Sequence, residues 1–269
     1  MSIQTIKLGT LEYLSAEGID TPHCFTTRFG GVSTGIWESM NIGPSRGDDI
    51  KNVIENYRIL GDVLGFIPED VVIARQTHSD IVRKVGKADR GAGLYREKLP
   101  EECDALITGE PGVALMVSTA DCTPILFHDP VTGAVGAAHA GWRGTAQDIA
   151  GKTVAAMVEH FGCDVKNIRC AIGPNLGQCH FETDGDVPHA LIGTFGREVL
   201  PYIKKIDGKF HPDLKAINAL ALCRRGVDAG NIEISKACTW CESHRFWSHR
   251  VTRGDRGSQG AVITCKEVK

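Results

Sequence analysis

Apolar and polar positions alternate with a period of two along ten short stretches of the chain. These are Thr5–Leu14, Val71–Arg75, Ile81–Val85, Asp104–Thr108, Val113–Ser118, Pro124–His128, Ala134–His139, Ile168–Ile172, Ile232–Ser235 and Ala261–Cys265, and each reads as a strand. Three other stretches repeat at helical spacing. Ile50, Val53, Ile54, Tyr57, Leu60 and Leu64 make one apolar stripe, with Asp48 or Asp49 to cap its start and Gly65 and Pro68 to end it. Ile149, Ala150, Val154, Met157, Val158 and Phe161 make a second, stopped by Gly162, and Leu214, Ile217, Leu220 and Ala221 a third, stopped by Gly226. The turns Glu110-Pro111-Gly112 and Asp129-Pro130-Val131-Thr132-Gly133 are short, which predicts antiparallel hairpins rather than crossovers through a helix. The pattern predicts an α+β fold, a layered sandwich of mixed β-sheets flanked by helices, in a single domain over residues 1–269 with no linker to cut.

Composition narrows this little. Hydrophobic residues at 42% and charged residues at 23% exclude a disordered, collagen-like or coiled-coil chain. A net charge of −3 speaks against a generic nucleic-acid binder. No apolar run approaches the ~18 residues that cross a bilayer, and the first residues lack a basic segment followed by an apolar one. No membrane or nucleic-acid partner is expected, the expected compartment is the cytoplasm, and nothing in the pattern sets the oligomeric state. Ten cysteines are the one oddity. In a chain this long, without an export signal, they read as reduced thiols, most of them buried as small hydrophobes.

Three segments place reactive side chains where a strand meets a turn: Arg75-Gln76-Thr77-His78-Ser79-Asp80, Ala120-Asp121-Cys122-Thr123-Pro124, and Ala137-Ala138-His139-Ala140-Gly141-Trp142-Arg143-Gly144. His78, Cys122 and His139 offer two imidazoles and a thiolate, a donor set for a catalytic zinc ion with one position left open. Such an ion lowers the pKa of bound water toward ~7. No local spacing links the three, and singly a lone cysteine or histidine is ordinarily structural. After His139, Gly141-Trp142-Arg143-Gly144 leads into the second helix, with Thr145 as its expected N-cap and Asp148 in its first turn. The glycine turn, Arg143 and free helix amides there form a candidate anion site. The loop Gly30-Gly31-Val32-Ser33-Thr34-Gly35, after Arg28, is a candidate cover but lacks a phosphate-loop signature. Cys238-Thr239-Trp240-Cys241 is a lone CxxC followed by His244 and His249, short of the second pair that a structural zinc site usually shows. From His244 to Arg256 the chain is locally basic, ordinarily a solvated face and here also a candidate for binding an anionic substrate.

The order of Gln76-Thr77-His78, Cys103-Asp104-Ala105-Leu106-Ile107-Thr108, Thr119-Ala120-Asp121-Cys122-Thr123-Pro124 and His139-Ala140-Gly141-Trp142-Arg143-Gly144 resembles the laccase-domain family. That family is also called multicopper polyphenol oxidase, peptidoglycan editing factor or purine nucleoside phosphorylase. The resemblance spans nearly the whole chain. It implies a metal site of His78, Cys122 and His139, holding zinc rather than copper. It further implies phosphorolysis of purine nucleosides (adenosine, inosine and methylthioadenosine), with inorganic phosphate as co-substrate, and deamination of adenosine. Arg143, then Arg28, are the expected phosphate ligands; Asn41 and Gln76, within matched segments, are further substrate-binding candidates, and Asp121 is the expected proton carrier. Phe181 stands where the family often has tyrosine, and Arg253-Gly254-Asp255-Arg256 replaces a frequent Thr-Gly-Arg. Three rival readings remain: a copper polyphenol oxidase, although none of the ten histidines forms a His-x-His pair, a hydrolase of peptidoglycan precursors with Cys122 as nucleophile and His139 or His78 as base, and a non-enzymatic interaction protein.

Overall fold

The computed structural model describes residues 2–266. The alternating stretches assemble into two six-stranded sheets, with strands numbered along the chain. The first runs β1 (Ile3–Leu8), β2 (Leu11–Ala16), β3 (His23–Thr26), β14 (Gln259–Thr264), β7 (Ala114–Thr119) and β4 (Val71–Ile73). The second runs β13 (Ile232–Ile234), β10 (Arg169–Ile172), β8 (Thr123–His128), β9 (Val135–Ala140), β6 (Ala105–Thr108) and β5 (Val82–Lys84). Both are mixed: β4 with β7, β5 with β6 and β10 with β13 pair in parallel, the remaining neighbours antiparallel. A separate ribbon joins β11 (Ile203–Ile206) and β12 (Lys209–Pro212).

Successive side chains of a strand point to opposite faces, and here both faces are covered. On β7, Leu115 and Val117 point between the sheets, where Leu106, Leu126, Val135 and Ala137 meet them from the second sheet. Ala114 and Met116 point outward, onto Val53, Tyr57 and Leu60 of helix α1 (Ile50–Leu64). The second sheet sends Ile107, Ile125, Phe127 and Ala138 outward, against α3 (Ile149–Phe161) and α5 (Leu214–Arg224). The layers are therefore helix, sheet, sheet, helix, forming one α+β domain. Short helices α2 (Trp142–Ala146) and α6 (His249–Thr252), together with α4 (Asp186–Phe195), complete the helical set.

Helix α1 starts after Asp49, whose side chain accepts from the Lys51 amide, and ends at left-handed Gly65, as its apolar stripe predicts. Four details differ from the sequence reading. Thr5–Leu14 is two strands, reversed at Gly9-Thr10 with Gly9 at φ 61°. The turn at Glu110-Pro111-Gly112 closes no hairpin, because β6 and β7 belong to different sheets and the chain crosses between them there; the turn after β8 does close one onto β9. Thr145 lies inside α2, and the cap of α3 is Asp148, which accepts from the Gly151 amide. Finally, β3, β11, β12 and α4 carry no pattern strong enough to have been read from the sequence. For α4, only Val187, Leu191 and Phe195 mark a buried face.

Candidate metal centre

The chain crosses from the first sheet to the second at two places, and both build the site. One crossing, between β4 and β5, carries His78; another, between β7 and β8, carries Cys122. His139 sits near the end of β9, opposite Pro124 of β8. The three donor atoms lie within 4.8 Å of one another, with Cys122 Sγ 3.8 Å from His78 Nε2. The two imidazoles meet edge to face, their centroids 4.9 Å apart.

Asp104, at the head of β6 and fully buried, holds this arrangement. Its Oδ1 accepts from His139 Nδ1 at 2.7 Å and from the His78 amide at 3.1 Å. Its Oδ2 accepts from the Thr77 amide, the Ser79 amide and the Ser79 hydroxyl at 3.0, 2.7 and 2.8 Å. Gathering three successive amides fixes the loop with His78 in the left-handed region (φ 64°), a conformation that costs a non-glycine residue about 1–2 kcal/mol. Binding Nδ1 of His139 fixes its tautomer and leaves Nε2 as the free donor. Asp121 is also left-handed (φ 86°). Its Oδ1 accepts from the Thr239 hydroxyl at 2.6 Å and its Oδ2 from the Arg250 amide at 2.7 Å, which turns the next residue, Cys122, toward the histidines.

Burial alone would keep Cys122 and His139 neutral, but the two stabilise each other's charged form. Against its burial, the Cys122 thiol is lowered to about 6 by His139 and His78. His139, likewise against burial, is raised to about 10 by Cys122 and by Asp104. Asp104 is buried yet lowered to about 2 by His139 and the loop amides. A thiolate is what a metal ion needs. Gly141 shows that the space among the donors is kept clear: a Cβ there would lie 2.9 Å from His78 Cδ2 and 3.2 Å from Cys122 Sγ. Three convergent N and S donors, one tautomer held from behind and a glycine in front suit a tetrahedral ion with one open position. His78, Cys122 and His139 would hold it.

The trio forms the floor of a cavity of about 630 Å³. Ile73, Trp142, Leu176, Phe181 and Leu214 give it apolar walls, and Arg46, Arg75, Lys98, Arg250 and Arg256 line it with positive charge. Asp121 is the only carboxylate in the lining among the described residues. Arg256 is buried; its Nη1 donates to the Gly257 carbonyl at 2.8 Å and to Ser258 Oγ at 3.2 Å, while its Nε has no partner among the described residues. Burial, then neighbouring Arg46, lower it to about 10. His249, beside it, is held below its ordinary value by burial and by Arg256.

The remaining candidates from the sequence fall differently. Gln76 lines the cavity, but both ends of its amide are tied to the Ser118 backbone of β7. Asn41 is fully buried outside the cavity, where its Oδ1 accepts from the Gly43 and Ser258 amides and so shapes the rim. Arg28 also lies outside: its guanidinium donates to the Glu38 carbonyl at 3.0 and 3.1 Å and stacks on Trp247. Arg143 is exposed on α2, 4.3 Å above the Trp142 ring and outside the lining. At the start of α3 the Asp148 side chain already occupies the Gly151 amide, and α2 is too short to offer a terminus of its own. The loop Gly30–Gly35 packs on α1 through Val32 N and Asn56 and contributes no residue to the cavity lining. Of the basic stretch, Arg250 and Arg256 face the cavity, whereas Arg245 pairs with Glu12 and Glu242 and Arg253 is exposed. Asp104, Arg46 and His249 were not singled out as site residues. For Asp104 the available signal was a lone acid heading an otherwise apolar strand.

Fold and site together define a class of two-sheet α+β proteins with a His-Cys-His cluster suited to a metal at the floor of a cationic cavity. The chain belongs to the family described as multi-copper polyphenol oxidoreductase laccase, whose model matches residues 22–266. It is 40% identical over 245 residues to purine nucleoside phosphorylase YlmD of Geobacillus stearothermophilus, covering 90% of this chain and 89% of that one. The crystal structure of that YlmD superposes with a TM-score of 0.91 at 37% identity, covering 98% of this chain and 99% of the other. It is also 35% identical over 249 residues to adenosine deaminase RL5 from an unknown prokaryotic organism, covering 91% and 94% of the two chains.

Proposed function

We propose that this chain is a zinc-dependent purine nucleoside phosphorylase acting on adenosine, inosine and methylthioadenosine, with adenosine deaminase activity. The observation that carries the reading is Arg256: a buried guanidinium with an unpartnered Nε, in the same cavity as the donor trio. A buried charge without a direct ion-pair partner is costly; Asp121 and Cys122 act on Arg256 only through space, and a phosphate dianion beside Arg256 and Arg46 would supply the partner. These two therefore take the role that the sequence offered to Arg143 and Arg28.

A volume of about 630 Å³ suits a nucleoside with phosphate. The apolar side of the cavity, with Phe181, Trp142 and Leu176, takes the purine face. Arg256, Arg46 and Arg250 hold the phosphate, so that its oxygen meets the anomeric carbon as the glycosidic C–N bond breaks and the electron pair passes to the purine. His249, whose pKa is held below its ordinary value, keeps one ring N–H that donates to the departing base, which takes its proton from solvent. Zinc bound by His78, Cys122 and His139 would supply a Lewis acid. For deamination, Asp121 is the lining carboxylate in reach of proton transfer, through lone pairs that Thr239 and Arg250 leave free. No helix among the described residues is long and apolar enough to cross a membrane, and all ten thiols are free, which supports a cytoplasmic place.

The test is chromatographic product analysis of purified protein with phosphate and adenosine or inosine. Free base and ribose-1-phosphate are expected, and inosine in addition from adenosine. Cys122→Ala should abolish turnover. If no nucleoside is consumed, or the variant performs equally well, the reading fails. Stoichiometric copper with an intense blue absorbance would instead favour polyphenol oxidation.

A further inference from the structure

A second group of metal-type donors lies apart from the first. Cys179 and His180 follow the strand β10 and its loop; Cys238 and Cys241 form the CxxC turn after β13. Their four donor atoms all lie within 4.8 Å of one another. Neither His244 nor His249, the histidines nearest in sequence, belongs to the group. Tetrahedral zinc with bonds of about 2.3 Å to sulfur and about 2.0–2.1 Å to nitrogen spaces its ligands at about 3.8 Å for S···S and about 3.5 Å for S···N. The observed separations are 3.6 Å for Cys179–Cys238 and 3.8 Å for Cys179–Cys241. His180 Nδ1 is 3.2 Å from Cys179 Sγ and 3.4 Å from Cys241 Sγ. These spacings are far beyond the ~2.05 Å of a disulfide, and all four match the edges of a tetrahedron around one ion.

The surroundings also fit. The Gly177 amide donates to Cys238 Sγ at 3.2 Å, which favours a thiolate. A Cβ on Gly177 would lie 3.2 Å from Cys238 Cβ and 3.4 Å from the sulfurs of Cys179 and Cys238. Trp240 stacks on the His180 ring, centroids 5.1 Å apart and planes 15° from parallel, and so fixes the imidazole. Three thiolates and one divalent ion leave a net charge of −1, and the buried ammonium of Lys215 is anchored next door on the Ser235 and Ala237 carbonyls at 2.7 and 2.9 Å.

We propose that Cys179, His180, Cys238 and Cys241 bind a second zinc ion, in a closed four-ligand site with a structural role. The first site has three protein donors and room for a fourth ligand; the second has four and none to spare. The second ion would pin together two segments that shape the first. Thr239, inside the CxxC turn, donates to Asp121, and its amide binds the Asn175 carbonyl at 2.9 Å. Leu176, whose amide binds the Asp121 carbonyl at 2.8 Å, and Phe181, next to His180, both line the cavity. This inference stands without the phosphorylase reading, because its readout is metal content.

The test is metal analysis by plasma mass spectrometry of full-length protein purified with a reductant and without chelator or added metal. The wild type should hold two zinc ions per chain, and Cys122→Ala and Cys241→Ser one each. In Cys122→Ala, whose second site is intact, cobalt exchanged for the remaining zinc should give the intense visible bands of a tetrahedral thiolate-ligated ion. That measurement decides the matter even if Cys241→Ser does not fold. No zinc in Cys122→Ala, cobalt bands of an octahedral ion, or an intact mass 2 Da low from a Cys179 disulfide would each overturn the proposal; one zinc in the wild type that Cys122→Ala retains and Cys241→Ser loses would place it in the second site and count against the first.

Discussion

Replacing Asp104 by asparagine keeps shape and removes one acceptor from a group that serves five donors. If the new amide nitrogen takes the place of Oδ2, it faces the Thr77 and Ser79 amides and both lose their acceptor, while the Ser79 hydroxyl can turn and accept. If it takes the place of Oδ1, the His78 amide is orphaned and His139 Nδ1 must become an acceptor. The imidazole proton then moves to Nε2, the atom needed for the metal. An orphaned buried donor costs about 1–3 kcal/mol. Thr77 and His78 are exposed and Ser79 is half-buried, so relaxation toward water puts each amide near the lower end. The first orientation therefore costs about 2 kcal/mol of stability, and the second less stability but the metal ligand. Either way, losing the partner behind a ligating histidine weakens metal binding about 10–100-fold. Urea unfolding of chelator-treated protein reads the stability, and zinc competition against a chromophoric chelator reads the affinity. Ser79→Ala is the control, expected to cost about 0.5–1 kcal/mol with affinity nearly unchanged. Were Asp104→Asn to unfold within about 0.5 kcal/mol of the wild type and keep its zinc affinity, the carboxylate would not be organising the site.

Gly141→Ala should fold but lose zinc from the first site, since its Cβ would press His78 and Cys122 apart; retention of full metal content in that variant would contradict the close approach. Arg256→Ala should raise the KM for phosphate by about ten- to a hundredfold, the worth of a charged hydrogen bond, with a smaller effect on the nucleoside KM; equal effects on both would move the phosphate elsewhere. In chelator-treated protein, alkylation of Cys122, followed by peptide mass spectrometry, should level off by about pH 7, because its thiol is lowered to about 6. An ordinary thiol would still react about tenfold faster per pH unit there. Zinc should protect Cys122, and Cys24, pushed up to about 12 by burial, should stay unmodified until the protein unfolds.

The long periodic segments are legible: the start of α1 is narrowed to Asp48 or Asp49, of which Asp49 is the cap, and its end to Gly65, because an apolar stripe, an acidic cap and a terminal glycine agree. The core strands were legible too, although both of their faces are buried. The crossing at Glu110-Pro111-Gly112 was not, because a short turn looks the same whether it pairs its flanking strands or hands the chain to another sheet. Residue types alone left His78, Cys122 and His139 an unlinked trio; the matched segments singled them out. Arg143 and Arg28 stand near glycines, and Arg143 beside helix amides, features shared by surface turns. Arg256, in a stretch that reads as a solvated face, is buried with its guanidinium on Ser258, whose amide donates to the distant Asn41, a link that no local pattern encodes. Cys179 and His180 stayed hidden for a similar reason, lying some sixty positions from the turn they join.

The passage of the chain from one sheet to the other has a consequence for how the molecule comes apart. Asp104 heads a strand of the second sheet yet grips amides of a loop leaving the first, and Cys122 sits on another such bridge. Prising the sheets apart by even a few ångströms would therefore dismantle the Cys122–His139 pair and release the His78 loop. Neither sheet can fray alone while the site stays whole, so hydrogen exchange at Thr77, His78 and Ser79 should report the same opening event as the strands at the centre of the sandwich. The floor of the cavity and the cooperativity of the fold are one property measured in two ways.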